Sequence, residues 1–389
     1  MTSGARPKLF TPFTVRGVTV RNRIMLSPMN QHRANDGYAD DGLLVHLGKF
    51  GLGGFGIIMT EATAIEPRGR VGPGDLGIWS DDHVAGLRRV CDYVKSVGGT
   101  PGVQLAHSGR KGASQRPWQG FGPLNEDDAK RGEPPWPLVS PTREPLGPGH
   151  VVPEQLSPDG IGEVLQRYAD AAARADAAGF DVIEVHAGHG YLIASFLSPV
   201  INTRNDEYGG DFAGRIRFAL EVADAVRSRW PDSKPLMFRL SSVDGHPDGW
   251  KIEDSVRLAR ELKNHGVDLI DCSSGGLRQS TALENAKRYP GYQVEYASQI
   301  RHGAGIATIA VGLILDGRQA EEILAGGHAD LVALGRQALY DPYWPHHAAQ
   351  DFGIDPDFER WDVSAGWWLA KRKTGLASVG LNGAGKAVT

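Results

Sequence analysis

The sequence predicts an α/β fold, a TIM-type (β/α)8 barrel, on three observations. Short apolar runs recur eight times, helix-like segments separate them, and polar residues gather just past the end of each run. The runs span 23–27, 56–61, 101–106, 181–186, 236–240, 268–272, 307–311 and 330–334. They are rich in Val, Ile and Leu, as strands buried on both faces must be. Helix-like segments at 43–52, 83–97, 160–178, 212–230, 252–265 and 318–325 fall between them. Several runs follow a Gly-x-Asp signature, as in Ala-Gly-Phe-Asp181, His-Gly-Val-Asp268 and Gly-His-Ala-Asp330, with Gly-Gly-Phe-Gly56 a looser case. Glycine suits the left-handed position that ends a helix, and the short loop after it feeds a parallel strand. A doubly wound sheet is the alternative, but it rarely needs eight crossovers.

The segment 110–158 carries Pro, Gly and Trp without sustained periodicity and reads as an insertion after the third strand, over the face where barrel sites assemble. The expected division is a barrel over 1–345 and a Trp-bearing tail over 346–389, whose last ten residues from Gly380 read as disordered.

Composition narrows the function. Lys plus Arg number 42 against 46 Asp plus Glu, a net charge of −4, and no basic run is long enough to follow a nucleic-acid backbone. No apolar stretch approaches the ~18 residues of a membrane helix, and Met1 to Pro7 lack a secretory apolar core, so a cytoplasmic chain without membrane or nucleic-acid partners is expected. Cys91 and Cys272 are too few for a disulfide scaffold, a zinc ribbon or a four-cysteine cluster, so redox chemistry requires a borrowed cofactor. The 51 glycines, close to twice the usual ~7% share, cluster in turns rather than in a linker.

Side chains at the C-terminal ends of barrel strands face the site. The first run ends in Ser27-Pro-Met-Asn30, the second in Glu61-Ala-Thr63, and the third carries Gln104 and His107. The fourth ends in His186-Ala-Gly-His189-Gly-Tyr191, the fifth carries Arg239, and the sixth ends in Ser273-Ser274-Gly-Gly. Gly312 follows the seventh, and Gly335-Arg336 the eighth. Glycines with an arginine after the last two strands fit an anion cradle of backbone N–H groups and guanidinium; ordinary turn glycines are the plainer alternative. Two histidines and a phenol within six residues can polarise a carbonyl oxygen and supply a proton. His-x-x-His can also bind zinc, but no third ligand accompanies it, and no metal site is expected. Structural histidines with satisfied hydrogen bonds are the remaining alternative.

These residues resemble the Old Yellow Enzyme family of FMN-dependent ene-reductases, in its thermophilic-like bacterial branch. The motifs that carry the resemblance are Asn22-Arg-Ile, Ser27-Pro-Met29, Asp75-Leu-Gly-Ile-Trp-Ser80 and Gln104-Leu-Ala-His-Ser-Gly-Arg-Lys111. Phe180 to Tyr191, Phe196-Leu-Ser-Pro199, Asn202 to Gly210 and Gly335-Arg336 continue it in order. The resemblance implies FMN, with its phosphate at Gly312, Gly335 and Arg336 and its ring and ribityl chain near Ser27, Pro28, Met29, Asn30, Ala62, Gln104, Arg239 and Ser274. It also implies NADPH or NADH as reductant and ping-pong hydride transfer to the C=C bond of an enone-type small molecule. His186 and His189 would grip the carbonyl and Tyr191 would protonate the α-carbon.

Two positions depart from the family pattern. Asn30 stands where that branch usually has a cysteine that tunes the flavin, and His32 where a tyrosine often meets substrate. An altered potential would favour desaturation of cyclic ketones, the main alternative; reduction of aromatic acyl thioesters or nitro compounds is another, and a flavin-binding sensor or storage module is the non-enzymatic one. The tail segment Gly366-Trp-Trp368 resembles the part that in relatives reaches a neighbouring subunit's pocket, which implies a homodimer or homotetramer with Trp368 near substrate; packing on its own barrel is the alternative.

Overall fold

The computed structural model describes residues 6–278 and 287–381. In chain order it runs β1 (Ile24–Leu26), α1 (Asp41–Leu52), β2 (Ile57–Ala64), α2 (His83–Ser96), β3 (Thr100–Ala106), α3 (Pro158–Ala178), β4 (Val182–Ala187) and α4 (Phe212–Arg227). It continues through β5 (Leu236–Ser241), α5 (Ile252–Asn264), β6 (Leu269–Ser273), α6 (Val294–Ala304), β7 (Ala307–Ala310), α7 (Gly317–Ala325), β8 (Leu331–Leu334) and α8 (Trp344–Asp351). The strands form a closed parallel barrel in sequence order, with Val332, Ala333 and Leu334 of β8 opposite Ile24, Met25 and Leu26 of β1. The predicted TIM-type barrel is therefore the observed one.

Each strand is covered outside by helices and filled inside by side chains, so nearly every strand residue is buried and the runs read as continuous apolar stretches. Helix ends follow local rules. Ser157 caps α3 by accepting from Gly160 N–H, with Pro158 at the first helical position, and Gly179 ends it at φ +89°. Asp181 then donates its backbone N–H to Pro101 and starts β4.

Three features lie outside the sequence reading. α6 leaves little trace in the sequence, because only Ala297 and Ile300 bury a face and the apolar period is thin. A hairpin of Phe13–Val15 and Val18–Val20 plugs the N-terminal end of the barrel, packing against Met25, Ile57, Met59, Met237 and Leu331. Strands of three residues leave too little alternation to read. The 110–158 insertion is more ordered than a bare loop: it holds a five-residue helix (Glu126–Lys130) and a small parallel pair, Val139–Ser140 with Glu154–Gln155.

Beyond β8, α8 buries Trp344, Ala348 and Ala349 against the barrel. Helix α9 (Val363–Ser378) buries only Gly366 and leaves Trp367 and Trp368 55% and 66% exposed. Of the stretch read as disordered, positions 382–389 lie outside the described residues. No helix among the described residues is long and apolar enough to cross a membrane.

Candidate active site

A cavity of about 1310 Å³ opens at the C-terminal end of the strands. That exceeds the ~300–1,000 Å³ of an ordinary small-ligand site and leaves room for a nucleotide cofactor and a second molecule together. Ser27, Pro28, Met29, Asn30 and His32 reach it from the loop after β1, and Gln104 from β3. His186, His189 and Tyr191 enter from β4 and the loop after it, with Arg239 from β5 and Ser274 from beyond β6. Gly312 follows β7, and Gly335 and Arg336 follow β8, so the anion cradle and the paired histidines share one space. Pro117, Gly120 and Phe121 of the insertion also line it.

Two candidates stand elsewhere. Ala62 is not among the residues that line the cavity; its N–H donates to Asn30 Oδ1, which does, at 3.3 Å. Trp368 lies on α9, away from the cavity of its own chain.

The histidine pair has a defined direction. Gly188 N–H donates to His186 Nδ1 at 3.2 Å, which places the ring proton on Nε2, 3.2 Å from His189 Nδ1. His189 Nε2 then bonds Ser273 Oγ at 2.8 Å. Burial, reinforced for His186 by the Arg239 and Lys111 cations and for His189 by His186 as well, holds both imidazoles well below the usual histidine range. They act near neutral pH as uncharged N–H donors. The Tyr191 ring stands edge-on to His186 at 4.8 Å, and burial raises its phenol above the ordinary value, so it keeps its proton.

The loop that carries them is pinned in an uncommon shape. His189 sits at φ +55°, a left-handed conformation few side chains adopt. A Cβ on the next residue, Gly190, would lie 2.0 Å from Gly276 O, so the two loops touch backbone to backbone. Lys111 Nζ clips them together by donating to the carbonyls of His189, Gly276 and Arg278 at 2.8–3.0 Å. Burial pulls that amine down to about 7.

Lys111 appeared in the sequence only as a motif letter, and Ser273 only as a strand end. Asp75 is a third addition: it accepts from His32 Nδ1 at 2.7 Å and from the N–H groups of Val71 and Gly72, fixing the ring that faces the cavity. Gln293, whose Oε1 accepts from Ser274 Oγ at 2.5 Å, belongs to a stretch with no readable motif. Among the described residues, no three His, Cys, Asp or Glu side chains converge as metal ligands.

The sequence matches the family described as NADH:flavin oxidoreductase / NADH oxidase over residues 8–353. The chain belongs to that family, as the Old Yellow Enzyme resemblance implied. It is 44% identical over 347 residues to a protein named NADPH dehydrogenase from Geobacillus sp. (strain WCH70), covering 89% of this chain and 94% of that one. Among solved structures, morphinone reductase superposes with a TM-score of 0.73 at 27% identity, over 90% of this chain and 91% of the other. A 2-naphthoyl-CoA reductase complex superposes at 0.78 and 25% identity, covering 88% of this chain, which spans about half (52%) of that protein's length. The chain is an FMN-dependent NADPH oxidoreductase acting on a small molecule.

The residues present fit FMN. Arg239 Nε is buried without a partner although the side chain lines the cavity, as expected of a donor awaiting a ligand atom. Gln104 spends its Nε2 on Glu184 Oε1 at 2.7 Å, which leaves its carbonyl oxygen to accept from a ring N–H. Gly312 lies at φ +108°, and a Cβ there would press to 2.9 Å of Gln293 Nε2.

Proposed function

We propose that this enzyme reduces the activated C=C bond of α,β-unsaturated carbonyl compounds, with His186 and His189 binding the carbonyl oxygen and Tyr191 protonating the α-carbon. The observation that carries this reading is two neutral imidazoles 3.2 Å apart beside a proton-bearing phenol, in the cavity that also holds the anion cradle. Bound FMN supplies the hydride acceptor and donor. The His186–His189 bond is at the long end of the hydrogen-bond range, so a carbonyl oxygen can enter between the rings and accept from His186 Nε2, and His189 donates to it once its proton sits on Nδ1 and Ser273 Oγ donates to its Nε2. Polarising that oxygen draws electron density from the β-carbon. Tyr191, kept protonated by burial, suits the donor step.

Around this centre, Gly312, Gly335 and Arg336 hold the phosphate, while Ser27, Pro28, Met29, Asn30, Gln104, Arg239 and Ser274 surround the ring and ribityl chain, with Ala62 behind Asn30. His32, fixed by Asp75, meets the substrate. The barrel of 1–345 functions with a 346–389 tail whose α9 reaches a neighbouring subunit, in a cytoplasmic homodimer or homotetramer. The exposed Trp367 and Trp368 of α9 support that arrangement, with Trp368 approaching the neighbour's substrate.

The test is optical. The purified yellow protein should bleach with NADPH and recover on adding cyclohexenone; bleaching without recovery would defeat the enone reading. The His186→Ala and His189→Ala double variant should keep its colour and lose the charge-transfer band with phenols; an unchanged phenol titration would remove the carbonyl grip from those residues. A second reading, desaturation of cyclic ketones, is favoured by Asn30, whose Oδ1 is committed to Ala62 N–H and which brings no thiol to the flavin. Net oxidation of cyclohexanone in air would select it.

A further inference from the structure

Beneath the cavity, four consecutive strands bring Gln104, Glu184, Arg239 and Asp271 into one buried cluster. The register pairs Gln104 with Glu184, and Arg239 with Asp271. Gln104 Nε2 donates to Glu184 Oε1, and Arg239 Nη1 lies 3.2 Å from Asp271 Oδ2. The remaining accounts do not balance. Glu184 Oε2 and Asp271 Oδ1 are sealed from solvent without a partner, and Asp271 Oδ2 has only the Arg239 ion pair, although the two carboxyl groups lie within hydrogen-bonding reach of each other. Two touching carboxylates in a dry interior would repel strongly, and each orphaned oxygen would cost the loss of its hydration.

One proton resolves both problems. We propose that Glu184 and Asp271 share a single proton, carried by Glu184 Oε2 and donated to Asp271, so that the pair bears one negative charge that offsets Arg239 and sets the reduction potential of the FMN above it. The geometry places the proton. Asp271 has a guanidinium for a neighbour and gains by staying ionised, whereas the only donor to Glu184 among the described residues is a neutral amide. The electrostatics agree: Arg239 opposes the effect of burial on both carboxyls, but Glu184 is pushed up further by the Asp271 charge and lies well above the ordinary range, whereas Asp271 is held down by Arg239 and by the Glu184 hydrogen bond.

The consequence reaches the cofactor through Arg239. A guanidinium compensated by Asp271 stabilises added negative charge on the ring less than an uncompensated one. Asp271→Asn removes the ionised member, and burial, the larger cause of its neutrality, keeps Glu184 protonated, so Arg239 stands unopposed and the potential should rise. Glu184→Gln keeps a donor toward Asp271 and keeps its charge, so the potential should stay near that of the wild type. Loss of packing alone would not raise the potential of one variant and spare the other. The inference rests on the family's FMN and is independent of which substrate is reduced.

Two measurements on the FMN-loaded enzyme test it. Infrared spectra in H2O and D2O, taken above the value of about 8 to which the Glu61 carboxyl is raised, should contain the carbonyl stretch of a neutral carboxylic acid. Glu184→Gln should lose that band and Asp271→Asn should retain it. Its absence from the wild type, or its persistence in Glu184→Gln, overturns the shared proton even if Asp271→Asn does not fold. Redox titration should then give an upward shift for Asp271→Asn and none for Glu184→Gln. Equal shifts, or a downward shift in Asp271→Asn, overturn the charge-setting role.

Discussion

The inward positions of a barrel strand fall two residues apart, and following them upward through this molecule crosses from one material into another. Val182 gives way to Glu184 and then His186 along β4, Met237 to Arg239 along β5, and Leu269 to Asp271 and then Ser273 along β6. The lower layer, with Met25, Ile57, Met59 and Leu331, is apolar and closed by the Phe13–Val15 hairpin. The upper layer is equally buried yet ionisable. Stability and chemistry are thus separated by about 7 Å of strand, two residues at ~3.3 Å each, within one continuous sheet. The lower layer gains free energy by leaving water, whereas the upper layer loses it and is held by hydrogen bonds and by clips such as Lys111.

Substitutions on either side of that boundary should behave oppositely. The largest effect belongs to the upper layer: Tyr191→Phe should slow reoxidation of the reduced enzyme by an enone by ~10²–10⁴-fold, the usual worth of a positioned general acid. Reduction by NADPH and the melting temperature should stay nearly unchanged; rapid-mixing absorbance traces of the two half-reactions separate these effects. In the lower layer, Met237→Ala should cost about 2–5 kcal/mol of stability through the cavity it opens, with little change in the flavin spectrum. Denaturant titration against flavin absorbance checks it, and a large loss of turnover without loss of stability would erase the distinction drawn between the layers.

A smaller effect sharpens the boundary at the loop after β1. Glu61 Oε2 accepts from Gln31 N–H, and burial, with the nearby Asp75 charge, raises its carboxyl from 4.5 to about 8. The folded protein therefore holds a proton there that the unfolded chain releases near 4.5, so this group's contribution to stability falls as pH rises from about 4.5 to 8 and is constant above. Glu61→Gln should flatten that part of the melting-temperature profile; an unchanged profile would place the carboxyl in a wetter setting. The smallest effect is expected at the tail. Removing the chain from Asp362 onward should change KM for bulky enones a few-fold, about 1 kcal/mol of lost contact, and leave FMN bound, as read by steady-state kinetics and absorbance.

The barrel was legible because strands covered on both faces must be apolar throughout, and the runs at 56–61, 101–106 and 236–240 coincide closely with β2, β3 and β5. The short hairpin at 13–20 and α6 were not, since their burial comes from partners distant in sequence rather than from a period of their own. The wall of the site was similarly readable, because a residue at a strand's C-terminal end must face it: Gln104, His186 and Arg239 do. Ala62, named by resemblance alone, does not line the cavity itself and donates its N–H to Asn30, which does.

The amino-acid sequence by itself determined the number of strands, their parallel order and the set of polar groups delivered to one end, because those follow from burial pattern and loop length along the chain. Only the closed barrel decided which of those groups meet. The bond from His189 to Ser273 joins residues 84 apart, and the Lys111 clip reaches residues 78 to 167 positions away. Such pairings depend on the stagger with which eight strands close on themselves, a global constraint that no local stretch of sequence encodes.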